Sequence, residues 1–181
     1  SGVIRHDQAA PIGGDLIGNL FRERISRPIL VNRTYTIPTW VNRDTLVIAS
    51  SYSGNTEETL CASEQAASKG ARLVAVSSGG RLSSWALRKG FPLFKVPEGW
   101  PPRAALGFLT FLPLGLLVRL GWLNRQLLPV QSLCAALKSY ILKNLAPTVR
   151  FTSNPAKKLA LTLKGRLPIL YGASGEWEAV A

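Results

Sequence analysis

The chain has 181 residues, 46% of them hydrophobic, and carries a formal charge of +12. That apolar content supports a buried core and excludes a disordered chain. The charge does not describe a nucleic-acid surface. Arg22, Arg24, Arg27, Arg33, Arg43, Arg72, Arg81 and Arg88 are scattered, with no basic run of five and no aromatic interleaving. The expected partner is a sugar phosphate or another acidic metabolite, and not nucleic acid.

The chain opens on Ser1 and contains no methionine, so the reading expects a piece of something longer. No signal peptide is visible. Residues 1–11 are polar and irregular, and His6, the single histidine, has no partner in sequence. Gly13 to Arg24 follows a helical pattern. Pro28–Asn32 reads as a short apolar strand, and residues 36–42 as a loop holding Pro38 and Trp40. Asp44–Ser50 is apolar without alternation, as in a strand buried on both faces.

The next stretch, Ser51-Tyr-Ser-Gly-Asn-Thr-Glu-Glu-Thr59, carries the chemistry. A strand, a hydroxyl-rich turn and a helix start make an anion pocket. The first helical turn has free N–H groups and a partial positive charge. Ser51, Ser53 and Thr56 add hydroxyl donors around the same point, and phosphate is the natural guest. The loop has no lysine and no GxxxxGK[ST], so it is no nucleotide P-loop and suits a monophosphate. The competing reading is a plain helix cap, with Ser53 or Asn55 capping; three hydroxyls exceed what capping needs.

Thr56 to Lys69 reads as a helix stopped by Gly70, and Arg72–Ser77 as a second two-sided strand. Ser78–Gly80 is a turn, Leu82–Lys89 a short helix, and Pro92–Val96 a third strand. Ala104–Val118 is very apolar, but it is shorter than the roughly 20 residues a bilayer span needs. It also contains Pro113 and is followed by Arg119, so a buried helix is expected and no membrane. From Asn124 the pattern changes to amphipathic helices, Leu127–Leu145 and Pro155–Lys164, the latter capped by Asn154. Arg166–Gly172 looks like one more strand. Cys61 and Cys134 fit no metal or redox spacing, so no metal or cofactor is expected. Both are expected to be buried free thiols in a reducing cytosol.

Strand, helix, strand, helix, strand means a parallel sheet with both faces covered: a three-layer α/β, doubly wound, flavodoxin-like domain. The expected division is residues 1–123 for this domain, 124–165 for a helical linker, and 166–181 for the start of a second domain. Ligands of such sheets bind beyond the carboxyl ends of the strands, where the Ser51–Thr56 loop lies.

SYSGNTEETL, PPRAALG, NPAKKLA and GRLPILYG, spread from about Ile12 to Ala181, resemble the bifunctional phosphoglucose/phosphomannose isomerases of the sugar isomerase (SIS) superfamily. The resemblance implies two SIS domains, a cytoplasmic homodimer and no metal. It implies interconversion of glucose 6-phosphate or mannose 6-phosphate with fructose 6-phosphate through a cis-enediol. By the same resemblance Ser51, Ser53 and Thr56 hold the phosphate, and Arg103 stabilises the enediolate. The chain departs from the family in three places. IGGDL survives, but Ala10 and Pro11 replace the loop residues before it. The family's base glutamate and histidine come later than Ala181, and neither Glu176 nor Glu178 matches the base. His6 does not correspond to the family histidine. The chain is therefore expected to be truncated, binding phosphate without turnover, as a non-catalytic module or an inactive remnant. Its uncovered apolar strand and helix lead to an expectation of self-association.

Overall fold

The computed structural model describes residues 9–169, which divide into two compact units, 9–123 and 124–169. In the first, helix α1 (Ala9–Leu20) precedes strand β1 (Leu46–Ser50), helix α2 (Glu57–Ser68), strand β2 (Arg72–Ser77), helix α3 (Gly80–Lys89) and strand β3 (Leu93–Lys95). A 3-10 turn, Pro102–Ala105, then leads into helix α4 (Leu106–Arg119). The sheet is parallel in the order β1-β2-β3, with Val47 opposite Leu73, Ala49 opposite Ala75, and Val76 opposite Phe94.

Side chains along each strand alternate between two apolar layers, which is why the strands read as uniformly apolar. Val47, Ala49, Leu73, Ala75 and Leu93 pack against Leu60 and Ala66 of α2 and Leu82, Trp85 and Ala86 of α3. Ile48, Val76 and Phe94 face the other way, against Ala105, Phe108, Leu109 and Leu112. Helices therefore cover both faces, and α1 lies against α4.

The continuous helical run Pro102–Arg119, the 3-10 turn and α4 together, is long and apolar enough to cross a membrane, yet Leu109, Pro113, Leu114 and Leu117 are buried in this unit. Pro113 has no N–H to give the carbonyl of Leu109 one turn earlier. Gly13 of α1 sits over that carbonyl, so closely that a Cβ there would lie 2.9 Å from it. This contact gives Gly13 a packing role inside α1, which begins four residues before the expected start at Gly13 and ends four before Arg24.

The expected strand Pro28–Asn32 does not form. Asn32 Nδ2 donates to the carbonyls of Thr34 at 3.0 Å and Thr36 at 3.1 Å, which curls the chain before it can pair. Leu30 stays exposed, and Arg33 forms an ion pair with Asp15 of α1.

The second unit holds α5 (Val130–Tyr140), a π-helical turn at Ile141–Leu145, and α6 (Pro155–Leu163). Asn154 caps α6 as its position before Pro155 suggested: Oδ1 accepts from the Lys157 amide at 3.1 Å. Its Nδ2 also donates to the Ala146 carbonyl at 3.2 Å, and the residue is only 1% exposed. Asn154→Ala removes the cap and the bond to the Ala146 carbonyl, which keeps only the Val149 amide at 2.9 Å. It is expected to cost this unit about 2 kcal/mol in chemical denaturation, with Asn154→Asp recovering about half through the retained cap. An Ala variant as stable as the parent would refute the double role. Residues 166–169, the described part of the last expected strand, pair with no strand, and Leu167 and Ile169 are exposed. Both cysteines are free, as expected, but Cys61 is only half-buried and Cys134 is exposed. Helix α5 buries none of its residues within the described chain, so the apolar face carrying Cys134 has no cover there.

Candidate functional site

The loops after β1, β2 and β3 meet at one sheet edge. The first runs from Ser51 to Thr56 into α2. Thr56 is the N-cap residue of α2, with extended backbone (φ −67°, ψ 116°), but its side chain makes no capping bond. Its hydroxyl instead lies 2.8 Å from the Ser51 hydroxyl. The capping alternative named Ser53 or Asn55. Ser53 Oγ accepts from the Asn55 amide, ahead of α2, and Asn55 Oδ1 accepts from the Arg81 amide of α3. The N-cap residue Thr56 puts no side-chain bond on the anion-attracting end of α2.

The three hydroxyls proposed from sequence are placed differently. Ser51 is 1% exposed, and its Oγ accepts from the Gly54 amide at 3.1 Å as well as meeting Thr56. Its hydroxyl is committed inside the loop, behind Thr56. Ser53 is exposed, its Oγ accepting a 3.3 Å bond from the Asn55 amide. Thr56 is half-buried. Ser53 and Thr56 are thus the hydroxyls a ligand can reach, and Ser51 orients one of them.

Two glycines lock this loop to the next one. Gly54 has φ +68°, and a Cβ there would fall 1.9 Å from the Gly79 carbonyl. Gly80 has φ +67°, and a Cβ there would fall 2.3 Å from the Ser53 carbonyl. Each glycine admits the other loop's backbone. The Leu82 amide donates to the Gly54 carbonyl at 2.8 Å, and the Arg81 amide to Asn55 Oδ1 at 3.1 Å. These partners were not singled out from sequence; the glycines at both strand ends were their only local sign.

Arg103 stands exposed in the 3-10 turn before α4. Its neighbour Ala105 is fully buried in the cluster that holds the ring of Tyr52. The turn carrying Arg103 is thereby seated on the same loop as Ser53 and Thr56. Glu57 and Glu58 occupy the first turn of α2 and offset part of its positive end. Tyr35 has its pKa raised, first by desolvation and then by the charges of Glu58 and Glu57. A groove of about 500 Å³ between α2 and α3 is lined by Asn55, Glu64, Arg81, Ser84 and Arg88. No group of three or more His, Cys, Asp or Glu side chains is gathered for a metal among the described residues. His6, Glu176 and Glu178 lie outside the described residues.

No protein-family model matches the chain. Searches of curated proteins do find relatives. A bifunctional phosphoglucose/phosphomannose isomerase of Caldicellulosiruptor bescii is 43% identical over 99% of this chain and 52% of its own length. One from Aquifex aeolicus is 32% identical over 88% of this chain and 47% of its own. A D-glucosamine-6-phosphate 4-epimerase of Sulfolobus acidocaldarius is 34% identical over 51% of this chain and 30% of its own. The chain spans about half the length of the isomerases it matches.

Proposed function

The chain belongs to the bifunctional phosphoglucose/phosphomannose isomerase family, and on that premise we propose that its first unit is an SIS-type domain that binds a phosphorylated hexose. The Ser51–Thr56 loop takes the phosphate. Ser53 and Thr56 donate hydroxyls, the first turn of α2 donates backbone N–H groups, and buried Ser51 holds Thr56 in place. The observation that carries this reading is Thr56: a cap-position hydroxyl that leaves its own helix uncapped and is fixed by a second, buried hydroxyl. The isomerases are named for phosphoglucose and phosphomannose and the epimerase for glucosamine 6-phosphate; a phosphorylated hexose is what those names share, and it is what this loop would hold.

In the family's reaction a proton moves between adjacent sugar carbons and negative charge builds on an oxygen. Arg103 is the cation we assign to that charge. The chemistry requires no metal or cofactor. Ring opening and proton transfer we assign to a histidine and a carboxylate that His6, Glu176 and Glu178 do not match, which leaves two forms of the proposal, a sugar-phosphate-binding module and an isomerase. We further propose a doubly wound domain at 1–123, a helical segment at 124–165 and the start of a second SIS domain at 166–181. Self-association as a homodimer and a cytoplasmic location complete the reading, the latter in keeping with the two free thiols.

Calorimetric titration tests the site. Fructose 6-phosphate and glucose 6-phosphate are expected to bind, inorganic phosphate to compete, and unphosphorylated fructose to show no heat. Equal binding of fructose and its phosphate ester would remove the phosphate from the reading. An assay with glucose 6-phosphate separates the two forms of the proposal: turnover by this chain alone would make it an enzyme in its own right.

A further inference from the structure

Tyr52 joins all the loops at this edge. Its carbonyl accepts from the Ser78 amide at 2.9 Å and the Ser78 hydroxyl at 2.6 Å, in the loop after β2. Its phenol oxygen donates to the Pro97 carbonyl at 3.2 Å and accepts from the Trp100 amide at 2.8 Å, in the loop after β3. A four-residue turn would ordinarily close the Trp100 amide directly onto the Pro97 carbonyl. Here the phenol oxygen stands between them. Gly99, with φ +88°, occupies the third place of that turn, the position that needs a positive φ in a type II geometry.

Beyond Trp100 the chain has little slack. Pro101 is extended (φ −57°, ψ 140°), Pro102 begins the 3-10 turn, and Arg103 comes next. Proline fixes φ at both steps. Two residues after Arg103, Ala105 is fully buried in the cluster with the Tyr52 ring. Arg103 is therefore held between two anchors, and both involve Tyr52: the hydroxyl at Trp100 and the ring beside Ala105.

We propose that Tyr52 is a positioning residue whose hydroxyl sets where Arg103 stands relative to the Ser51–Thr56 loop. The inference rests on the reading that Arg103 meets the bound sugar phosphate. Tyr52 itself is 6% exposed and enclosed, and it acts through the turn it closes.

The experiment compares the 181-residue chain with its Tyr52→Phe, Arg103→Ala and doubly substituted variants. Phe keeps the buried ring, so the fold is retained. Amide exchange reads the turn: protection at Trp100 is expected to fall about tenfold in Tyr52→Phe while the β2 amides stay unchanged. Titration with fructose 6-phosphate reads the consequence. Tyr52→Phe is expected to weaken binding about tenfold alone, and less than about twofold once Arg103 is Ala. Unchanged protection at Trp100 overturns the latch whatever the ligand does. Equal losses in both Arg103 backgrounds overturn the route through Arg103. If Arg103→Ala leaves affinity intact, there is nothing for Tyr52 to position and the proposal fails. The exchange data then still separate a broken turn from a misassigned arginine.

Discussion

Gly54→Ala is expected to lose about 3 kcal/mol of stability and most of the affinity for fructose 6-phosphate. An alanine at φ +68° is strained by about 1–2 kcal/mol before any contact is considered. Its Cβ would also fall 1.9 Å from the Gly79 carbonyl and 2.7 Å from Ser77 Oγ, and the first of these is backbone that cannot rotate away. The two loops must separate, which breaks the Leu82-to-Gly54 and Arg81-to-Asn55 bonds and moves Ser53 and Thr56. Gly115→Ala, in the middle of α4 with open space around its Cα, supplies the contrast. There the substitution is expected to stabilise by about 0.5–1 kcal/mol. Urea denaturation of both variants measures the difference. If Gly54→Ala matches the parent in midpoint and binding, the interlock of the loops is not what shapes the site.

Removing both reachable hydroxyls is expected to have the largest effect on binding. Ser53→Ala/Thr56→Ala takes away two donors to an anion, at about 1.5–3 kcal/mol each. Affinity for fructose 6-phosphate should fall by roughly a hundredfold or more. Stability should fall by less than about 1 kcal/mol, since Ser53 is exposed and Thr56, which contributes no cap, gives up one bond to Ser51, whose Oγ keeps the Gly54 amide. Ser51→Ala should divide the other way. Its hydroxyl is buried and serves Gly54 and Thr56, so its loss is expected to cost about 1–2 kcal/mol of stability and a smaller share of affinity. A double variant that titrates like the parent would dismiss the loop as the phosphate site. A Ser51 variant that loses binding but no stability would put Ser51 in direct contact with ligand.

Much of the first unit was legible in sequence because its strands carry unbroken apolar runs bounded by glycine. β1 and β2 fall within Asp44–Ser50 and Arg72–Ser77 as expected, β1 beginning two residues late at Leu46, and α2 starts within a residue of Thr56. The apolar run at Pro28–Asn32 misled for a physical reason. A strand needs a partner edge, and Asn32 satisfies nearby carbonyls before one is found. The thiol of Cys134 misled similarly, because a stripe on a helix predicts burial only when something covers the stripe.

At the site, residue type and spacing proposed Ser51, Ser53 and Thr56, because a hydroxyl-rich turn between a buried strand and a helix has few other uses; Arg103 came only from the family resemblance. What spacing cannot carry is direction. Whether a hydroxyl faces ligand or backbone depends on how the loops after β1, β2 and β3 pack, and those loops are brought together by pairing of residues 26 apart in β1 and β2 and 18 apart in β2 and β3. That packing turned Ser51 inward, paired Gly54 with Gly79 and Gly80 with Ser53, and set the Tyr52 phenol into the turn before Arg103. Local sequence chose the chemistry available at this edge; only the folded contacts decided which side chains are buried within it and which are exposed.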